Sequence, residues 1–269
     1  MKAGAYVFGI ASIAAGILDL VWGEFEPAHQ PIQAWGDHIP GVRILAYIAA
    51  VWLIAGGAAI LWRQSSRAGA AALTILYGIF VLFPLPRLYT APQIFGHRPA
   101  VYIGVFVGVA HQLILVVGAA ILYARLSTRG SVSPKAALVA RWIFGICSID
   151  FGLAHFIAIP IVAPMVPKWL PFGGAFWSVL TGIAFLLAGL AILSGIRDVL
   201  AARLLALMLL VFSLLVLTPS IFASPHNHVA WGANAYNLTA VGAAWIFADW
   251  LATRHQQVGD QQNAQPVPA

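Results

Sequence analysis

The sequence predicts an all-α integral membrane protein whose helices cross the bilayer about eight times. Three observations carry that prediction. Of 269 residues, 61% are hydrophobic and only 8% are charged, whereas a soluble domain carries about a quarter charged residues. The apolar stretches run unbroken for about twenty residues, the helix length that matches a hydrocarbon core of roughly 30 Å. Lipid leaves only helices and closed barrels able to satisfy their own peptide groups, and the two-residue alternation of barrel strands over about ten residues is absent.

The expected spans follow in two sets of four. The first runs from Ala5 to Gly23, Val42 to Trp62, Ala70 to Tyr89 and Ala100 to Tyr123. The second runs from Leu138 to Ile161, Gly174 to Leu193, Leu200 to Phe222 and Val229 to Leu251. Residues 253–269 are polar, with Pro and Gly, and read as a disordered cytoplasmic tail.

The two sets resemble each other. Phe8-Gly9-Ile10-Ala11-Ser12-Ile13, then Gly16 and Asp19, matches Phe144-Gly145-Ile146-Cys147-Ser148-Ile149, then Gly152 and His155. Ile39-Pro40 matches Leu170-Pro171, the segment Pro86 to Pro92 matches Pro219 to Pro225, and Val117-Gly118-Ala119-Ala120 recurs as Val241-Gly242-Ala243-Ala244. Apolar bias alone does not order four such matches. The expected units are residues 1–128 and 138–252. Four spans per unit make both enter the membrane in the same direction, a parallel repeat about an axis along the membrane normal. The first span has an internal counterpart near Trp142, so it reads as a retained helix rather than a cleaved signal.

Charge orients this topology. With the N-terminus inside, ten Lys and Arg fall on the inner side, and Arg43, Arg87, Arg98 and Lys168 fall outside. By the positive-inside rule both termini are cytoplasmic. The net charge of +6 is scattered over short loops and forms no nucleic-acid-binding patch. Cys147 is the single cysteine, which excludes an internal disulfide, a dithiol pair and a zinc quartet.

The polar, aromatic and Pro-rich residues gather on the outer side, with five of eight histidines: His29, His38, His97, His226 and His228. Ionisable residues inside a membrane are costly unless paired or hydrated, which singles out Asp19, Asp150, His155 and His111. Asp19 and His155 hold equivalent repeat positions, and a pseudo-two-fold axis is expected to bring them together. That pair suits either a pocket for a head group, a quinone carbonyl or a proton, or a structural bond between helices. Asp150 lies five residues before His155, off its helical face. His226 and His228 are the weak metal candidates, needing further ligands from His97, His29, His38, Glu24 or Glu26; as hydrated loop residues they need no metal. His111 and His155 are the intramembrane histidine pair, at different expected depths, which disfavours paired haem ligation. The four prolines between Pro160 and Gly174 force the chain to bend, with Lys168, Trp169 and Trp177 suited to the headgroup zone.

Gly152-Leu153-Ala154-His155-Phe156, then Pro160, then Met165-Val166-Pro167-Lys168-Trp169-Leu170-Pro171, then Trp177 and Thr181-Gly182, resembles the DoxX-like family of small four-span membrane proteins. The first half keeps a reduced version, with Asp19 in place of the His and Ile39-Pro40 in place of Leu-Pro. The resemblance implies two fused DoxX-like units in a bacterial inner membrane. It also implies an association with quinone-linked or thiol redox systems, and His155, Trp169, Pro171 and Trp177 transfer as family-pattern positions.

No stand-alone catalytic motif accompanies these features, and no cofactor is implied beyond a quinone. Three classes of function follow. The first is a redox accessory subunit that binds quinone or lipid near the outer leaflet beside a membrane oxidoreductase. The second is a transporter for a small solute or ion, and the third is a membrane assembly factor.

Overall fold

The computed structural model describes residues 3–26, 40–127 and 133–263, which form helices and turns without a strand. Among them the long helices are α1 (Ala3–Trp22), α2 (Val42–Leu61), α3 (Ser66–Leu82), α4 (Pro99–Leu126), α5 (Pro134–Ile157), α6 (Gly173–Ser194), α7 (Asp198–Phe212) and α8 (His228–Asn263). A turn carries α3 into the short helix Arg87–Phe95, and a π-helical turn, Ser213–Leu217, carries α7 into Thr218–Ala223.

Among the described residues seven helices are long and apolar enough to cross a membrane: α1, α2, Ser66–Phe95, α4, α5, α6 and Asp198–Ala223. The eighth expected span, Val229 to Leu251, lies within α8, which is longer and less apolar than the others. Its polar residues have protein around them. Asn234 and Thr239 are buried, and α8 packs against α1, α4 and α7. A helix surrounded by helices does not need a lipid-compatible surface, so its hydropathy understates its depth in the fold. The helix also continues past Leu251 through residues 253–263 of the expected tail; residues 264–269 lie outside the described chain, as do His29 and His38.

Local sequence sets the helix ends. Ser133 accepts a hydrogen bond from Ala136 N at 3.2 Å, with Pro134 following it, so α5 starts four residues before the expected Leu138. It stops at Ile157 rather than Ile161, because the Pro160 ring would meet the carbonyl of Phe156 in a continued helix. A short helix, Ile159–Val162, and a 3-10 turn, Ala163–Met165, then lead through Phe172 (φ 70°) into α6. This is the bend that the four prolines predict.

In chain order each long helix packs on the next, α8 closes back onto α1, and α4 also meets α8. The tightest crossings are made by glycine. A Cβ on Gly57 would stand 2.6 Å from the Gly9 carbonyl oxygen, and one on Gly16 would stand 2.5 Å from that of Ala50. In the second half a Cβ on Gly189 would lie 2.7 Å from Gly145 O, and one on Gly152 would lie 2.8 Å from Gly182 O. Without side chains at these points α1 rests on α2, and α5 on α6, backbone to backbone. Ser12 and Ser148 each bond back to the carbonyl four residues earlier. Phe8 meets Tyr77 edge-on, whereas Phe144 stacks on Phe247 with centroids 4.1 Å apart.

Large apolar side chains such as Ile44, Ile48 and Val51 on α2, and Leu187 and Leu190 on α6, face outward. Apolar bands of that extent fit a hydrocarbon environment and not water. At the end of the bundle that carries the start of α7, buried Asp198 accepts from Arg141 of α5 at 2.6 Å and from His255 of α8 at 2.8 Å, clamping three helices.

Candidate functional site

Helices α4 to α8 frame a half-open cavity of about 930 Å³. Its walls come from α4 to α8 and from the bend after α5, and Val162, Met165 and Leu170 carry it to the bend's end of the bundle. Leu, Val, Phe and Ala dominate the lining. An apolar pocket with a few convergent polar groups is the general form of a site for a small lipophilic molecule, and the size suits one.

His155 lines this cavity. Helix α5 presents it one turn after Phe151, whose carbonyl accepts its Nδ1–H at 2.8 Å. The ring sits beside Phe185 of α6 (centroids 5.1 Å apart) and Phe212 of α7 (6.2 Å). His111 of α4 lines the same cavity and packs on Phe151 (4.8 Å) and Tyr236 of α8 (5.1 Å). The two intramembrane histidines, read as lying at different depths, thus share one cavity wall with Phe151 between them.

Trp177 also lines the cavity, and its indole N–H donates to Pro171 O at 2.8 Å, pinning the bend to the start of α6. Trp231 makes the corresponding bond to Pro225 O at 2.9 Å at the start of α8. Pro171 therefore acts through its carbonyl. Trp169 is 69% exposed and outside the cavity lining, in keeping with an interfacial anchor. Asp150 is buried away from the cavity lining.

The expected Asp19–His155 pair does not form. Asp19 is fully buried at the end of α1, where it accepts from Glu26 N at 2.9 Å and faces His228 Nε2 at 3.6 Å. His228 is stacked on Trp22 (4.8 Å, interplanar 6°), and its Nδ1 donates to Glu24 at 3.1 Å. Burial acts against the charged imidazole, but the bonds to Asp19 and Glu24 raise the His228 pKa above its ordinary value. The contact fails because α1, which carries Asp19, packs between α2 and α8, and α5, which carries His155, packs between α4 and α6.

His226 is exposed, and His228 is engaged by carboxylates. Among the described residues no group of three or more His, Cys, Asp or Glu side chains is arranged to hold a metal ion. Three polar cavity residues have no place in the sequence analysis, Ser178, Asn237 and Tyr236, and Glu26, named there only as a possible metal ligand, also lines the cavity. A signal existed for Asn237, since an amide within an expected span needs a partner.

The long apolar helices define a multi-pass helical membrane protein. Comparison with protein-family models, with curated proteins and with solved structures returned no match.

Proposed function

We propose that this chain holds a quinone or a lipid in the cavity between α4 and α8, near the outer leaflet, as an accessory subunit of a membrane oxidoreductase in a bacterial inner membrane. The observation that carries the proposal is the cavity itself. It is about 930 Å³ in volume, largely apolar, and supplied with polar groups at His155, His111, Thr181, Ser178, Asn237, Glu26 and Tyr236. A head group with one or two oxygens fits such hooks, and an alkyl or isoprenoid tail fits the rest.

The same reading takes the chain as eight crossings in two parallel DoxX-like units with cytoplasmic termini. The glycine crossings support it, because Gly9 on Gly57 and Gly145 on Gly189 hold equivalent places in the two halves.

The test is solvent extraction of protein purified in mild detergent, followed by mass spectrometry. The expected result is a quinone or a defined lipid near one per chain, lost in His155→Ala. Bulk lipid alone, unchanged by the substitution, refutes it. One observation favours a transporter instead: the π-helical turn Ser213–Leu217 lines the cavity and is followed by Pro219, and interrupted helices mark transport sites. That alternative predicts solute uptake into liposomes that fails in His155→Ala.

A further inference from the structure

The hydrogen-bonding sense of the cavity wall around His155 selects among lipophilic ligands. A neutral imidazole carries one N–H, and Phe151 O takes it at Nδ1. Nε2 is then a bare acceptor. Thr181 Oγ1 donates its proton to Trp177 O at 2.8 Å, which leaves only lone pairs. Asn237 Nδ2 donates to Leu209 O at 2.7 Å and to Ser213 Oγ at 2.8 Å. The carbonyl of Leu209 cannot donate, so the amide orientation is fixed and Oδ1 is left as an acceptor. The Trp177 N–H is committed to Pro171 O.

Three of the polar side chains lining the cavity therefore present acceptors, with their own donors engaged elsewhere in the fold. Ser178 adds a hydroxyl that is buried in the lining with no hydrogen-bond partner. A buried polar atom in that state calls for a ligand atom. Donors are sparse: Ser178 Oγ–H and one ring N–H of His111.

From this arrangement we infer that the cavity takes a lipophile whose head donates hydrogen bonds, a hydroquinone-type diphenol in preference to the corresponding quinone. The inference rests on the quinone reading above and sharpens it. A quinone brings only acceptors, and its carbonyl would oppose His155 Nε2, Thr181 Oγ1 or Asn237 Oδ1 with no proton between them. The diphenol brings two O–H groups to the same set of acceptors. One hydrogen bond made rather than left unmade corresponds to about tenfold in affinity.

The experiment is isothermal titration of the full chain in nanodiscs, anaerobic and at pH 8, above the ordinary imidazole range. The probes are a decyl-substituted benzoquinol, the matching quinone and the quinol's dimethyl ether, with dodecanol and its methyl ether as a redox-free pair. The expected result is quinol binding about tenfold tighter than either carbonyl or ether, with the preference lost in His155→Phe and in Thr181→Val, which retain side-chain bulk. Equal or tighter binding of the quinone overturns the inference, as does a preference that survives both substitutions. If neither redox form binds but dodecanol outbinds its ether through His155, the quinone reading falls and the donor-head inference stands. If no hydroxyl compound binds better than its ether, both fall.

Discussion

Replacing Gly152 by Ala is expected to separate α5 from α6 at the level of the cavity. The added methyl would lie 2.8 Å from Gly182 O and from Leu186 Cγ. Ordinary contact begins near 3.4 Å, so the helices must part by about half an ångström or more. Leu186 can rotate, but the Gly182 carbonyl is backbone within α6 and cannot. Overpacking of this kind costs about 1–3 kcal/mol, and each kcal/mol lowers a melting midpoint by roughly 2–4 °C for a chain of this size. His155 lies one turn after Gly152, and Thr181 adjoins Gly182, so ligand affinity falls with stability. The control is Gly78→Ala in α3, where nothing lies within 4 Å of the new Cβ. That variant is neutral or gains up to about 1 kcal/mol from helix propensity. The assay is thermal unfolding in detergent followed by size exclusion, with ligand titration on the same samples. If Gly152→Ala melts with Gly78→Ala and binds ligand normally, the backbone-to-backbone crossing is not as described.

Three further outcomes follow from other contacts. Asp198→Ala removes the partner of Arg141 and His255 together; a loss of about 2–3 kcal/mol is expected, near the lower end for a broken ion pair because Arg141 stays partly hydrated, and a melt within 1 °C of wild type contradicts it. Trp177→Phe and Trp231→Phe each delete one indole bond to a proline carbonyl, costing about 1 kcal/mol, and hydrogen exchange should rise in residues 163–172 for the first and 224–227 for the second. The raised pKa of His228 means that its ionic contacts contribute fully below about pH 6.5, the unfolded value, and are lost as pH rises through the folded value. The wild-type melting midpoint should therefore fall between pH 6 and pH 9 by more than that of His228→Gln, and parallel curves refute the assignment.

The helices were legible because a bilayer imposes a length and a polarity that a single chain can be read against. The prolines from Pro160 onward likewise marked the bend, since a missing N–H acts locally. Contacts between helices were less legible. Asp198 and Arg141 lie on different helices 57 residues apart, and Glu24 and His228 lie 204 apart, so no local spacing announces either pair. The pairing of Asp19 with His155 was inferred from symmetry, but equivalent positions meet only when they face the axis, and these two face different neighbours. His155 was found by its cost in a membrane. The acceptor character of its Nε2 required the Phe151 carbonyl to be seen.

The most direct test of the central claim is to map where a lipophile binds. A photoactivatable alkyl quinol is added to the protein in nanodiscs, irradiated, and located by peptide mass spectrometry. Labelling concentrated on the cavity-lining stretches around His155, Thr181, Met208 and Asn237, and competed away by unlabelled quinol, is the result predicted. Labelling spread over outward-facing residues such as Ile44, Ile48 and Val51, with no competition, would contradict it.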